Sequence, residues 1–119
     1  MALHLHSVTF DCEDPAAQAS FWAGVTGYEV GDTNPFLAVL RGDGSVGPRM
    51  MFIKVPEPRT VKNRCHIDLG TLDLDTEVER VVALGADLVG RYEEWGLTWA
   101  TLRDPEGNEF CIGEHAPPA

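Results

Sequence analysis

The strongest constraint on this chain is a pattern that occurs twice. Residues 99–112 read as two short strands joined by Asp104-Pro105-Glu106-Gly107-Asn108. Proline presets φ there, and glycine takes the positive φ that closes a hairpin with a bulge. Residues 37–44 and 51–53, Leu-Ala-Val-Leu-Arg-Gly-Asp-Gly and, after a longer loop, Met-Phe-Ile, repeat the arrangement earlier. One unit is therefore written twice.

What precedes each hairpin repeats as well. Residues 5–11 alternate, with Val8 and Phe10 on one side and Ser7, Thr9 and Asp11 on the other, which predicts a strand with one face on a core. Asp14-Pro15 is an N-cap followed by proline in the first helical turn. Ala17, Phe21 and Val25 then recur at helical spacing, Trp22 widens the stripe, and Gly27 ends the helix. A short extended segment over residues 28–30 and strands over 36–40 and 49–55 complete the order β, α, β, β, β. Pro56-Glu57-Pro58-Arg59 cannot sit inside a central strand and reads as a linker. The second copy opens with the strand Cys65-His66-Ile67-Asp68-Leu69. Asp73 or Asp75 caps a helix carrying Leu74, Val78, Val81 and Val82, and Gly85 closes it. Strands over 87–91, 97–102 and 109–112 follow, and residues 116–119 form a tail. The expected organisation is one domain over 1–119, with module one about 1–56 and module two about 64–115.

Composition limits the partners. At 119 residues and 44% hydrophobic the chain has the size of one ordinary domain. Acidic residues outnumber basic ones 19 to 9, giving a net charge of −10. That disfavours nucleic acid and anionic membranes and leaves a small neutral or cationic ligand open. No apolar run approaches a membrane span, and residues 1–6 lack the basic start and apolar middle of a signal peptide, so a cytoplasmic location is expected. Cys12, Cys65 and Cys111 are odd in number and far apart, which suggests reduced thiols rather than a disulfide framework. The loop at residues 43–47 precedes a strand, whereas a phosphate site would need a helix there.

Two βαβββ modules, His66 opening the fifth strand, a helix ending in Leu84-Gly85-Ala86 and the turn at residues 104–108 together resemble the vicinal oxygen chelate superfamily, and within it the glyoxalase-like and bleomycin-resistance-like group. The resemblance implies an α+β fold in which two modules form a curved mixed sheet around a ligand cup, with homodimers common. It implies no single reaction, because lyases, isomerases, dioxygenases and drug-sequestering proteins share that fold. Metal-dependent members take one ligand from the first strand of each module and a carboxylate from the last strand of the second; glyoxalases add one from the first module. His66, seven residues before Asp73, matches such a position. The same count back from Asp14 reaches Ser7, with His6 one residue out of register. Cys111 stands where an acid is expected in the last strand, and Ile53 is its counterpart in the first module, with Met51 and Val55 sharing its face.

The expectation is therefore a small-molecule-binding protein without a cofactor or catalytic divalent metal, in which His66 is the candidate catalytic residue. Thr9, Asp11, Met51, Ile53, Asp68, Trp99 and Cys111 are the candidate ligand-binding residues. Asp68 stands two residues from His66 on the same strand face, and Asp11 occupies a related place in module one. Phe36, Trp95, Trp99 and Met51 are candidate apolar walls. Cys111 reads as a small buried filler, and Arg59, Lys62 and Arg64 as a solvated basic patch. The alternative is a lyase or dioxygenase dependent on a divalent metal such as Zn, Ni or Fe and using His6 and His66, with Cys111 as a third donor. It requires a bulge near Cys12-Glu13 to turn His6 inward.

Overall fold

The computed structural model describes residues 2–42 and 47–115, so most of the loop at residues 43–47 and the tail at 116–119 lie outside the described residues. The chain divides into two compact units, Met1–Pro58 and Arg59–Ala119. Each contains one helix and one four-stranded sheet, and the two repeat the same order of elements.

In the first unit the strands are β1 (Ser7–Cys12), β2 (Glu29–Asn34), β3 (Leu37–Arg41) and β4 (Arg49–Lys54), ordered β1-β4-β3-β2. β1 and β4 run parallel and the other pairs antiparallel. Helix α1 (Pro15–Thr26) starts where the Asp14 carboxylate accepts the Ala17 N–H at 3.1 Å, and stops at Gly27, whose φ of 76° suits a residue without a Cβ. Its buried face holds Gln18, Ala19, Phe21 and Trp22. Ala17, expected on that face, is exposed, because Gln18 and Trp22 take the inward position one residue later. Trp22 meets Phe10 of β1 edge-on at 5.5 Å and Phe21 at 5.4 Å, and Phe10 also meets Phe52 of β4. So α1 packs on the Val8 and Phe10 face, as the alternation predicts. β2 is twice the expected length and exposed throughout.

In the second unit β5 (Asp68–Thr71), β6 (Asp87–Glu94), β7 (Leu97–Arg103) and β8 (Glu109–Glu114) are ordered β5-β8-β7-β6, again with the outer pair β5 and β8 parallel. Helix α2 (Leu74–Leu84) buries Leu74, Val78 and Val81 beside β8, β6 and β7. Phe110 and Ile112 of β8 and Ala100 and Leu102 of β7 supply the buried side chains opposite it. Val82, expected on the buried stripe, is 41% exposed at its edge.

Asp73 caps α2. Its carboxylate accepts the Thr76 hydroxyl at 2.7 Å and the Thr76 N–H at 3.2 Å, and these bonds, the hydroxyl first, hold it below its ordinary protonation range. A carboxylate depressed in the folded state stabilises fully above its unfolded value of about 3.9, and the contribution disappears as pH falls through the lower folded value. Urea midpoints of wild type and Asp73→Ala are therefore expected to differ at neutral pH and to converge on acidification below about pH 4. A gap independent of pH would contradict this assignment.

Candidate functional site

The strand expected over residues 65–69 begins only at Asp68, and the reason lies in Asn63. Its side-chain oxygen accepts the Glu109 N–H at 2.7 Å, and its amide donates to Glu109 O at 3.0 Å and to Cys65 O at 2.8 Å. A side-chain amide thus occupies backbone groups of β8 that a longer β5 would have paired. The ladder resumes where Cys111 N donates to Ile67 O at 2.9 Å. His66 stands in the short segment between, and Asn63 sets its position.

On the face opposite α2, two rows run across the second sheet. One passes from Asp68 through Cys111 and Thr101 to Gly90; the next runs from Gly70 through Gly113 and Trp99 to Tyr92. The first row is polar. His66 Nε2 lies 3.3 Å from the Asp68 carboxylate, with both side chains about half exposed or more, and the Thr101 hydroxyl lies 3.4 Å from the Cys111 sulfur. Donor atoms of His66, Asp68 and Cys111 all fall within 4.8 Å of one another. The second row begins with two glycines and ends with Trp99 stacked on Tyr92 at 5.5 Å and 28°. The missing side chains leave room for His115, whose ring would meet a Cβ on Gly113 at 2.7 Å.

Of these residues His66, Asp68, Trp99, Thr101, Cys111, Gly113 and His115 border a hollow of about 500 Å³, completed by Lys62, Trp95, Leu97, Thr98 and Glu109. Trp95, Leu97 and Trp99 give the β6–β7 side an aromatic and apolar surface interrupted by Thr98 and Thr101, and the β5–β8 side is polar, a mixture suited to a small-molecule site. The turn after β7 holds the two sides in register. Asp104, 2% exposed, accepts the N–H groups of Glu106 and Asn108, both at 2.9 Å, and the Asn108 side-chain amide. Gly107 there has φ 88°.

Of the predicted residues, His66, Asp68, Trp99 and Cys111 meet at this hollow, joined by Trp95. Cys111 is half-buried and borders the hollow, so it is not a buried filler. Arg59 does more than add to a solvated patch: its guanidinium donates to Val61 O at 2.6 Å and to Glu106 O at 3.3 Å, over Gly107. In the first unit Thr9 pairs with Met51 and Asp11 with Ile53, so these four share the face of that sheet turned away from α1. Phe36 is exposed in the two-residue turn between β2 and β3. His6 precedes β1, whose register with β4 runs unbroken from Ser7 opposite Arg49 to Cys12 opposite Lys54. Without a slip there, His6 keeps the alternation of Val8 and Phe10, so β1 lacks the bulge that the His6 alternative needs. Asn63 and His115 were missed. The paired glycines Gly70 and Gly113 were the available signal for His115, once the register was known.

The model of a glyoxalase-like domain matches residues 7–113. No curated protein matches the chain significantly. Among solved structures, a glyoxalase/bleomycin resistance protein/dioxygenase family enzyme from Burkholderia phytofirmans superposes with a TM-score of 0.78 at 22% identity, covering 94% of this chain and 98% of that one. The fosfomycin resistance protein FosX from Listeria monocytogenes gives 0.79 at 14%, covering 98% and 96%. TioX from Micromonospora sp. gives 0.68 at 25%, covering 95% and 99%. The arrangement of two βαβββ modules is the fold these structures share with the chain. Among the described residues no helix is long and apolar enough to cross a membrane.

Proposed function

Since the chain belongs to the glyoxalase-like domain family, we propose that it binds a small organic molecule in the hollow of its second unit, with His66 as the residue that exchanges a proton or hydrogen bond with that molecule. The observation that carries the reading is the meeting of His66 and Asp68, 3.3 Å apart, with Trp95 and Trp99 around one hollow. Asp68 orients the imidazole, the aromatic residues exclude water from one side of the ligand, and Thr101 fixes the Cys111 sulfur beside it. The reading includes a homodimer in the cytoplasm, where three free thiols would stay reduced.

A second reading is favoured by one observation, the approach of three donors of different chemistry. Imidazole, carboxylate and thiolate within 4.8 Å suit a borderline ion such as zinc and not magnesium or calcium. His66, Asp68 and Cys111 would hold it and leave a position for substrate, and the ion would supply Lewis acidity. In this form the metal-dependent alternative draws its donors from the second unit and needs no His6.

A thermal-shift screen across small metabolites and drugs tests the first reading. A ligand at a hundred times its Kd stabilises by about 2.7 kcal/mol, so a true hit raises the melting temperature clearly. His66→Ala is expected to weaken that hit about tenfold, the worth of one hydrogen bond to a charged group. Elemental analysis separates the two readings: stoichiometric metal in the purified protein, absent from His66→Ala, would sink the metal-free one.

A further inference from the structure

Gly70 of β5 and Gly113 of β8 stand side by side in register across the parallel ladder. Glycine weakens a strand interior, so two abreast need a reason. Backbone conformation does not supply it, because neither has a positive φ. The reason is space. A Cβ on Gly113 would lie 2.7 Å from His115 Nε2 and 3.1 Å from its Cδ2, and a Cβ on Gly70 would lie 3.2 Å from the His115 Cβ. Chain neighbours aside, the three atoms nearest to either position all belong to His115. The two glycines therefore form a bed for one imidazole.

His115 N donates to Thr71 O at 2.9 Å, so the pairing of β5 with β8 runs one residue past Glu114 and fixes the His115 backbone. Strand alternation then puts its side chain on the face of Cys111 and Gly113, where the hollow lies. His115 is exposed, and water could take its ring. The glycines instead let the ring fold back along β8 until Nε2 lies over Gly113 on the border of the hollow. His66 brings its own Nε2 beside Asp68, which stands opposite Cys111. The two imidazoles thus serve neighbouring rows of the sheet, about 7 Å apart along the strand.

We propose that His115 is a second ligand-contacting residue of this hollow and that the ligand is bifunctional: a short molecule with one polar group at His66 and Asp68 and a carboxylate at His115. The inference rests on the small-molecule reading above and adds the class of ligand. An imidazole has an N–H to donate in either protonation state, so the contact needs no change of charge. The net charge of −10 does not exclude an anionic end, since exposed charges beyond about 8 Å are largely screened at physiological ionic strength. Of the carboxylates on the border, Asp68 faces His66 and Glu109 lies 3.5 Å from the Arg103 guanidinium, while Lys62 adds a positive charge.

Three probes of similar size are titrated calorimetrically: glutarate, with a carboxylate at each end; δ-aminovalerate, with an ammonium at one end; and valerate, with a carboxylate and an apolar tail. Wild type is expected to bind one bifunctional probe about tenfold more tightly than valerate, glutarate where His66 receives the second group and δ-aminovalerate where Asp68 does. His115→Ala, at an exposed position, is expected to fold as wild type and to bind that probe about tenfold more weakly. Gly113→Ala is expected to lose as much, because its methyl group turns the ring out into water. The double variant Gly113→Ala/His115→Ala is expected to bind no more weakly than His115→Ala alone, since Gly113 acts only through the ring. A methyl group that blocked the probe directly would add its own loss there. Unchanged probe affinity in His115→Ala, additive losses in the double variant, or equal affinity for valerate and both bifunctional probes overturns the inference. The small-molecule reading survives each of these results if His66→Ala still weakens a screening hit. If wild type binds none of the three probes, the inference falls alone when the screen yields a hit, and together with that reading when it yields none.

Discussion

Trp22→Ala is expected to lower the stability of the chain by about 3–5 kcal/mol, the range for deleting a large aromatic from a well-packed core. Trp22 is fully buried and meets both Phe10 and Phe21 edge-on, so its removal leaves a void bounded by rings that sheet and helix hold in place. Two aromatic pair contacts are lost along with the buried area. Single domains are stable by about 5–15 kcal/mol in all, so this one change removes a large share and is expected to leave the first unit partly unfolded at 37 °C. Urea denaturation checks the magnitude. A cost under about 1 kcal/mol would show that the helix can collapse into the space and that the core is centred elsewhere.

The second large effect is expected at Asp104, where a buried carboxylate holds a turn through four hydrogen bonds involving two backbone N–H groups and the Asn108 side chain. Asp104→Ala leaves those donors without their acceptor in a place with little water, which costs about 2–4 kcal/mol. Asp104→Asn is the informative control. It retains an acceptor for the backbone groups but sets its own amide against that of Asn108, so its cost is expected to fall between wild type and alanine. Faster hydrogen exchange at Asn108 and Glu109 would accompany the loss. The damage also reaches the hollow, because this turn sets Cys111 opposite Thr101. Equal stability for Asp104→Ala and wild type would remove the carboxylate from its assigned role.

The features most legible in the sequence were those written in local chemistry. Asp14, Asp73, Gly27 and Gly85 mark the helix ends because capping needs those residue types within a few positions of one another. The repeated turns were legible for the same reason. β2 was not, since Glu29, Gly31, Asp32, Thr33 and Asn34 offer no alternation, and an exposed edge strand has no buried face to write one. The start of β5 was misjudged because Asn63, 46 residues from Glu109, replaces a backbone partner with a side chain, and nothing local announces so distant a bond. At the candidate site, the nearness of His66 and Asp68 followed from strand alternation, but the place of Cys111 beside them depends on the register between β5 and β8. Trp95 was recognisable as an aromatic near a hairpin. Its positive φ was not, because that follows from the two-residue length of the loop.

In each unit the opening strand finds its hydrogen-bonded neighbour in the closing one, β1 with β4 and β5 with β8. A nascent polypeptide must therefore carry Ser7 and its companions unpaired until Arg49 has emerged, and Asp68 until Glu109 has. Each half assembles in one late step across a long stretch of chain, which makes it slower to form than a plain meander. A ribosome stalled before either closing strand would leave that half with an unsatisfied edge, open to pairing with other chains.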